Sequence, residues 1–370
     1  MPSSIATALK KKGAKAPKKR KRPLWKGPEE DGVTQSLISG FIVCRERFRV
    51  KVVEGLKPAK GFIHKIEYGN MWHECEEAFG KNEDWEKALL TYSQGLVTKY
   101  RTDQEQIEKW YQVCKRQFRV YVPYWADHYQ VKQRTPLMHE EEFCVPVLLP
   151  SGRTVKLRGK WDGVDIIGKG RNRKVWLQEN KAKGDVDEIA ISKQLDWDLQ
   201  VMTYLFALEK YLHSNQDILP KGVPCVPAGV RYNVIRRPLS GGRHSIKQKK
   251  GQSLEAYYQE LEDRIRDDSE FFFVRYKADF SRTEIQEFAR QFLIPTLEQL
   301  CDWWEWITDD LDDPFRDDER GIPGGGIHTR HPYGVYNPMD KGRASDVDEY
   351  LNNGSINDLA YADTLFPELS

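Results

Sequence analysis

An α/β fold, with a mixed β-sheet flanked by helices and a helical N-terminal part, is what the order of periodicities along this chain predicts. Apolar residues recur at helical spacing over much of residues 36–118. Four β-prone runs follow, at 142–149, 154–167, 174–181 and 226–235, and a periodic stretch at 189–212 separates the third from the fourth. Helical spacing returns over 253–267 and 282–308. Helix, mixed sheet, then helix is the outline of an α/β or α+β domain.

Each element rests on local signals. Residues 1–28 are rich in Lys, Ala and Pro, hold few large apolar groups, and read as a disordered basic tail. Such a tail is a solvated arm, an electrostatic tether to phosphates or, in a eukaryotic host, a nuclear address centred on Lys18 to Arg22. Ser36 is a candidate cap for a helix through Ile38, Phe41, Ile42 and Phe48. Tyr68 to Phe79 reads as a second helix, and His73 lies within it. A long amphipathic helical stretch over 84–118 carries Trp85, Leu89, Tyr92, Leu96, Ile107, Trp110 and Phe118 and is expected as an insertion.

After the first three β-prone runs, the stretch 189–212 presents Ile191, Leu195, Leu199, Met202, Leu205 and Leu208 on a helix. Residues 241–251 are basic and Gly-rich, the composition of an exposed loop, and include Arg243, Lys247, Lys249 and Lys250. Trp303, Trp304 and Trp306 end the last helix; at that spacing they read as core rather than as a base-stacking surface. The expected organisation is a tail over 1–28, one domain over 29–308, and an acidic, Gly- and Asn-rich segment over 309–370 with little order.

Size and composition exclude several classes. A chain of 370 residues, 39% hydrophobic and 31% charged, buries a core without disulfide staples. No apolar run approaches the ~20 residues that span a bilayer, so no membrane association is expected. No apolar h-region follows the N-terminus, which argues against secretion. Cys44, Cys75, Cys114, Cys144, Cys225 and Cys301 are scattered without a C-x-x-C pair, as in a reducing compartment. The net charge of +2 conceals a division: residues 1–28 hold ten basic groups and no acid, which leaves 48 basic against 56 acidic groups elsewhere, a net of −8. A polyanion must then be met by a local groove or by the tail, and the body is not a nonspecific DNA coat.

The chemistry concentrates in two extended runs. Gly159-Lys160-Trp161-Asp162-Gly163-Val164 lies on one, and Trp176-Leu177-Gln178-Glu179-Asn180-Lys181 on the next, with the Gly-rich turn 168–172 between them. Side chains alternate on a strand, so Glu179 and Lys181 share a face and Asn180 takes the other. If the runs pair as a hairpin, Asp162 comes alongside Glu179. Two carboxylates and an ammonium on one face are costly to bury, but suit a divalent cation with oxygen ligands and an attacking water.

Four segments in order now carry a resemblance: Gly69-Asn70-Met71-Trp72-His73 on a helix, Gly159 to Asp162 on a strand, Glu179-Asn180-Lys181 on the next, and Gln200-Val201-Met202-Thr203-Tyr204 on a helix. They resemble the RecB-like branch of the PD-(D/E)XK nuclease superfamily, which includes RecB nuclease domains, CRISPR-adaptation nucleases and many phage exonucleases. Ser36 to Phe48 is similar to the opening helix of that group. The resemblance covers about residues 34–240, and more loosely extends to 300.

It implies a restriction-endonuclease-like sheet and a metal-dependent DNA nuclease, an exonuclease acting in recombination, repair or phage replication. Asp162, Glu179, the main-chain carbonyl of Asn180 and His73 are implied as ligands of Mg²⁺ or Mn²⁺, and a nitrogen ligand favours Mn²⁺. Lys181 would orient or activate water, with base behaviour open to it if its pKa is lowered. Gln200 and Tyr204 would flank the site, and Lys183, Lys193, Arg236 and Arg237 would contact DNA. A recombinase or single-strand-binding protein is the implied protein partner, and the cytoplasm of a bacterial or phage-infected cell the implied setting. Nothing in the sequence addresses oligomeric state.

Plainer readings stand beside these. His73 suits a satisfied core histidine, Asp162 before Gly163 a bulge, Gln200 and Tyr204 the polar border of a packed helix, and the basic residues an ordinary surface. Glu179 and Lys181 suit a solvated ion pair, although apolar Val175 and Leu177 argue for burial there. Several relatives hold an iron–sulfur cluster on four cysteines; no cysteine follows Cys301 near His331 to Tyr336, so no cluster is expected. The competing functions are a structure-selective endonuclease, an RNA-directed nuclease, and a catalytically inactive, nuclease-derived DNA-binding module.

Overall fold

The structure, a computed structural model, describes residues 25–43, 45–53, 55–58, 62–126, 133–184, 186–238 and 247–308, with 359–361, 366 and 369. The basic run through Arg22, Cys44, Arg243, the acidic 309–320 and the 331–336 stretch lie outside the described residues, as do most of both terminal segments.

In chain order the described helices are α1 (Gln35–Val43), α2 (Arg45–Phe48), α3 (His64–Gly80), α4 (Trp85–Lys99), α5 (Gln104–Ala126), α6 (Glu188–Leu195), α7 (Leu199–Ser214), α8 (Leu254–Asp267), α9 (Ser269–Phe272), α10 (Arg282–Phe288) and α11 (Ile294–Thr308). The strands are β1 (Val33–Thr34), β2 (Leu56–Pro58), β3 (Arg134–Leu148), β4 (Thr154–Ile167), β5 (Lys174–Lys183), β6 (Pro227–Arg236), β7 (Phe273–Asp279) and β8 (Leu359–Tyr361). Six strands form one mixed sheet in the order β1-β4-β5-β6-β7, with β3 also paired to β4; β2 and β8 form a separate antiparallel ribbon. Helices flank this sheet, as the sequence predicts. Chain contacts divide the protein into two units, Met1–Lys60 with Phe143–Gly159 and Glu287–Ser370, and Gly61–Glu142 with Lys160–Gln286.

In the first unit the cap of α1 is Thr34, not Ser36. The Leu37 N–H donates to Thr34 Oγ1 at 3.4 Å, and the Ser36 hydroxyl sits inside the first turn, 2.8 Å from that oxygen. Thr34 ends a strand, and so already has the extended backbone a cap needs. Aromatic packing closes this unit: Phe41 and Phe48 each meet Trp303 edge-on at 5.5 Å, and Trp25 lies 4.8 Å from Trp304. Trp303 is thus core, as its spacing predicts.

In the second unit the amphipathic helical stretch over 84–118 is made of two helices. Asp84 caps α4 by accepting the Lys87 N–H at 3.1 Å; the chain turns at Tyr100–Asp103, and α5 runs on to Ala126. The stretch 189–212 also divides. Asp198 accepts the Val201 N–H at 2.9 Å and starts α7 afresh, so Gln200 and Tyr204 ride on its first turns. Short carboxylates compete for backbone N–H groups and break helices that apolar periodicity alone would continue. Strand β7 alternates Val274, Tyr276 and Ala278 with Arg275, Lys277 and Asp279, a period of two that the helical reading of the stretches on either side passes over.

The core of this unit lies among α3, α4, α5 and α8. Helix α3 buries Tyr68, Met71, Trp72 and Cys75, a helical stripe, and Trp72 packs edge-on against Phe118 at 5.1 Å and Tyr121 at 5.0 Å. One residue on, about 100° around the helix, His73 leaves that core. Strand β4 is antiparallel to β5, with Gly163 opposite Gln178, and β5 is parallel to β6, with Asn180 opposite Asn233. The parallel pair is joined through α6 and α7, which brings Gln200 back over β5.

Candidate functional site

Ladder pairing between β4 and β5 is recorded up to Gly163 and Gln178; the next pair in that register is Asp162 with Glu179. There the Asp162 side chain takes over, its Oδ2 accepting the main-chain N–H of Asn180 at 2.6 Å. Both carboxylates therefore belong to one face. Asn180 points to the other, where its Oδ1 accepts from Asn233 Nδ2 at 2.6 Å.

Glu179 is fully buried. Its Oε1 receives the Lys181 ammonium and, at 2.8 Å, the amide of Gln200. Its Oε2 is buried with no hydrogen-bond partner among the described residues. A buried carboxylate oxygen without a donor is expensive unless something electropositive meets it. Burial and the neighbouring Asp162 charge push the Glu179 pKa up to about 7, against the pull of Lys181.

His73 approaches from α3. Its Nδ1 lies 3.0 Å from Glu140 Oε1 and 3.8 Å from Asp162 Oδ1, and donor atoms of the three residues all fall within 4.8 Å of one another. Burial disfavours the charged ring, but Asp162 and then Glu140 outweigh it and raise His73 to about 9. The side chain keeps 31% of its surface exposed, so the cluster opens to solvent. Lys160 closes the far side, its ammonium 3.1 Å from Glu140 Oε2 and 3.3 Å from Glu77 Oε2.

The sequence-predicted residues divide into two sets. Asp162, Glu179, Lys181, Gln200 and His73 converge. Tyr204 is buried on α7 beside Gln200, and burial and the Glu179 charge hold its hydroxyl protonated well above the ordinary tyrosine range. Burial alone would discharge Lys181, but Glu179 and Asp162 hold it above the usual lysine value. Beside Glu179 it stands as a hydrogen-bond donor. Lys183 is half-buried, 5.6 Å from the Tyr232 ring, and Lys193 is exposed on α6.

The two arginines are engaged within the protein. Arg236 meets Glu188 at 3.0 Å and stacks 4.2 Å from the Phe271 ring; Arg237 is buried and donates to the Lys65 carbonyl at 3.3 Å. The structure does not bring either into the cluster. In the exposed 247–250 stretch, Lys249 is tied to Glu260 at 2.9 Å.

Sequence reasoning passes over Glu140 and Lys160. Glu140 opens the run Glu140-Glu141-Glu142, which reads as a solvated face, and its partner His73 is 67 residues away. The available signal is Lys160, a cation two residues before a motif acid on the same strand face.

One nitrogen and several carboxylate oxygens, one of them unpartnered in a buried position, form a donor set suited to a divalent ion. A search of curated proteins finds no match. A family model described as the PD-(D/E)XK nuclease superfamily matches residues 33–301, more than half of the chain and every residue of this cluster. Divalent ions are used throughout that superfamily, and its members cut phosphodiester bonds. The chain belongs to the PD-(D/E)XK nuclease superfamily, and its activity is that of a nuclease.

Proposed function

We propose that this protein is a Mg²⁺- or Mn²⁺-dependent deoxyribonuclease of the RecB-like kind that degrades DNA from its ends, in recombination, repair or phage replication. The observation that carries the reading is the convergence of the Asp162 and Glu179 carboxylates with the Lys181 ammonium on one sheet face, with His73 beside them. The acidic balance of residues 29–370 supports an enzyme that meets DNA through a confined cleft rather than one that coats it. A recombinase or single-strand-binding protein as partner, and a cytoplasmic setting, belong to the same proposal. Among the described residues no helix is long and apolar enough to cross a membrane.

Asp162, Glu179, the Asn180 carbonyl and His73 would hold the ion, which when bound supplies Lewis-acid stabilisation of phosphoryl charge and a more acidic water. Lys181, held as a cation, donates toward the phosphate and the incoming water, and so offsets charge that grows as the bond breaks. Gln200 fixes Glu179 Oε1 at 2.8 Å and thereby the plane of that carboxylate. Tyr204, a neutral hydroxyl at this depth, backs Gln200. Lys183 and Lys193 take backbone phosphates. In the turn before α7, Trp197 is 87% exposed, four residues after Lys193, and offers an aromatic face to an unpaired base.

The test uses end-labelled linear DNA and closed circular DNA, each with Mn²⁺ and with chelator. Ion-dependent loss of the linear form with the circle intact is the expected result. Cutting of the circle would make the enzyme an endonuclease, and binding without cutting would make it a DNA-binding module.

A further inference from the structure

Strand β3 carries an irregularity at the cluster. Its buried positions are 138 and 140, then 143, 145 and 147, a slip of one residue in an otherwise alternating pattern. The slip coincides with Glu140, whose φ of +45° lies in the left-handed region that a glutamate rarely adopts. An extra residue in a strand re-aims side chains, and strained backbone gathers where geometry serves function. The result is a carboxylate with only 3% of its side chain exposed, turned toward His73.

The two oxygens of that carboxylate differ. Oε2 is anchored by Lys160 at 3.1 Å. Oε1 lies 3.0 Å from His73 Nδ1, the same ring nitrogen that Asp162 Oδ1 approaches to 3.8 Å. An acid that merely supports a ligating histidine bonds the ring nitrogen remote from the ion. Here Glu140 and a motif aspartate face one and the same nitrogen, and the unpartnered Oε2 of buried Glu179 belongs to the same group of charges.

We propose that Glu140 is itself a ligand of the divalent ion, a fourth side chain beside His73, Asp162 and Glu179, with Lys160 as the residue that holds it in position. This rests on the reading that the site binds such an ion. Lys160 leaves Glu140 one oxygen for the ion, and the slip in β3 is the device that delivers it. A histidine and three carboxylates form a site of high negative charge, which Lys160 at Glu140 and Lys181 at Glu179 offset.

The experiment is Mn²⁺ titration of the full chain by calorimetry without DNA, with thermal unfolding in chelator as the control for folding. The variants are Glu140→Gln, Glu140→Gly, His73→Ala, the Glu140→Gln/His73→Ala pair, and Asp162→Asn. Expected is a loss of Mn²⁺ affinity of about 10-fold or more in Glu140→Gln, and a further loss when that change is added to His73→Ala. Glu140→Gly, which accepts the positive φ, should lose affinity equally, with a cooperative unfolding transition in chelator showing that it folds. Wild-type affinity in Glu140→Gln, or no added loss in the His73→Ala background, would overturn the assignment, the latter reducing Glu140 to a support for His73. If wild-type protein binds no Mn²⁺, or Asp162→Asn binds it undiminished, the wider reading of the site fails as well.

Discussion

The main-chain N–H of Asn180 donates to the carboxylate of Asp162 at 2.6 Å, so the two strands that carry the motif are stitched together by one of its own acids. The bond holds Asp162 to β5 in the very place where Glu179 turns to the same face. Position of the first acid and position of the second are thereby a single structural fact.

Chemistry should depend on that face. Lys181→Ala and Asp162→Ala are each expected to lower kcat by about 100-fold or more, with the circular dichroism spectrum preserved. Single-turnover cleavage of a saturating linear substrate is the measurement. Full activity in either variant would remove the site.

Stability of the metal-free protein should carry the signature of raised pKa values. His73 is held near 9 in the fold, against an ordinary 6.5, so its contribution is complete below about 6.5 and disappears as pH rises through 9. Glu179, raised toward 7, favours its neutral form in the fold, and ionising it also costs stability between its ordinary value of 4.5 and 7. In chelator the stability advantage of wild type over His73→Ala should therefore shrink between pH 6.5 and pH 9. Melting temperatures of both proteins across that range decide it, and an advantage that grows with pH would contradict the assignment.

Asp165 lies outside the cluster, fully buried, with its carboxylate 2.7 Å from Arg134 and 3.6 Å from Arg231. Removing one partner of such a group strands buried charge. Asp165→Ala is expected to destabilise the protein by about 3–5 kcal/mol in urea unfolding, while molecules that remain folded still bind Mn²⁺.

Trp197→Ala should weaken binding of single-stranded ends by about 1–3 kcal/mol and leave duplex binding little changed. Fluorescence anisotropy on the two substrates separates the cases; equal losses on both would end the stacking role.

The basic tail can be tested only in part. Trp25 is buried, and its indole N–H donates to the Gly32 carbonyl at 2.9 Å, so a deletion that reaches residue 28 would cut into the packed protein. Removing residues 2–22 avoids this. The expected result is weaker DNA binding and a log K against log salt slope flatter by about 0.9 for each phosphate that the tail neutralises, with single-turnover cleavage unchanged. An identical slope would make the tail a bystander.

Local spacing alone determined a good deal of this protein. The faces of Glu179 and Lys181 follow from strand alternation, the burial of Trp72 beside an outward His73 from helical rotation, and the pairing of Gln200 with Tyr204 from a four-residue step, because backbone geometry imposes each without reference to the rest of the chain. Tertiary structure decided what distance along the chain conceals: the upward shift of Lys181 between two acids, and the internal contacts that Arg236 and Arg237 make. Glu140 is the sharpest case. A left-handed residue in a polar run has no periodic signal, and only packing against a histidine 67 residues away turns its charge inward.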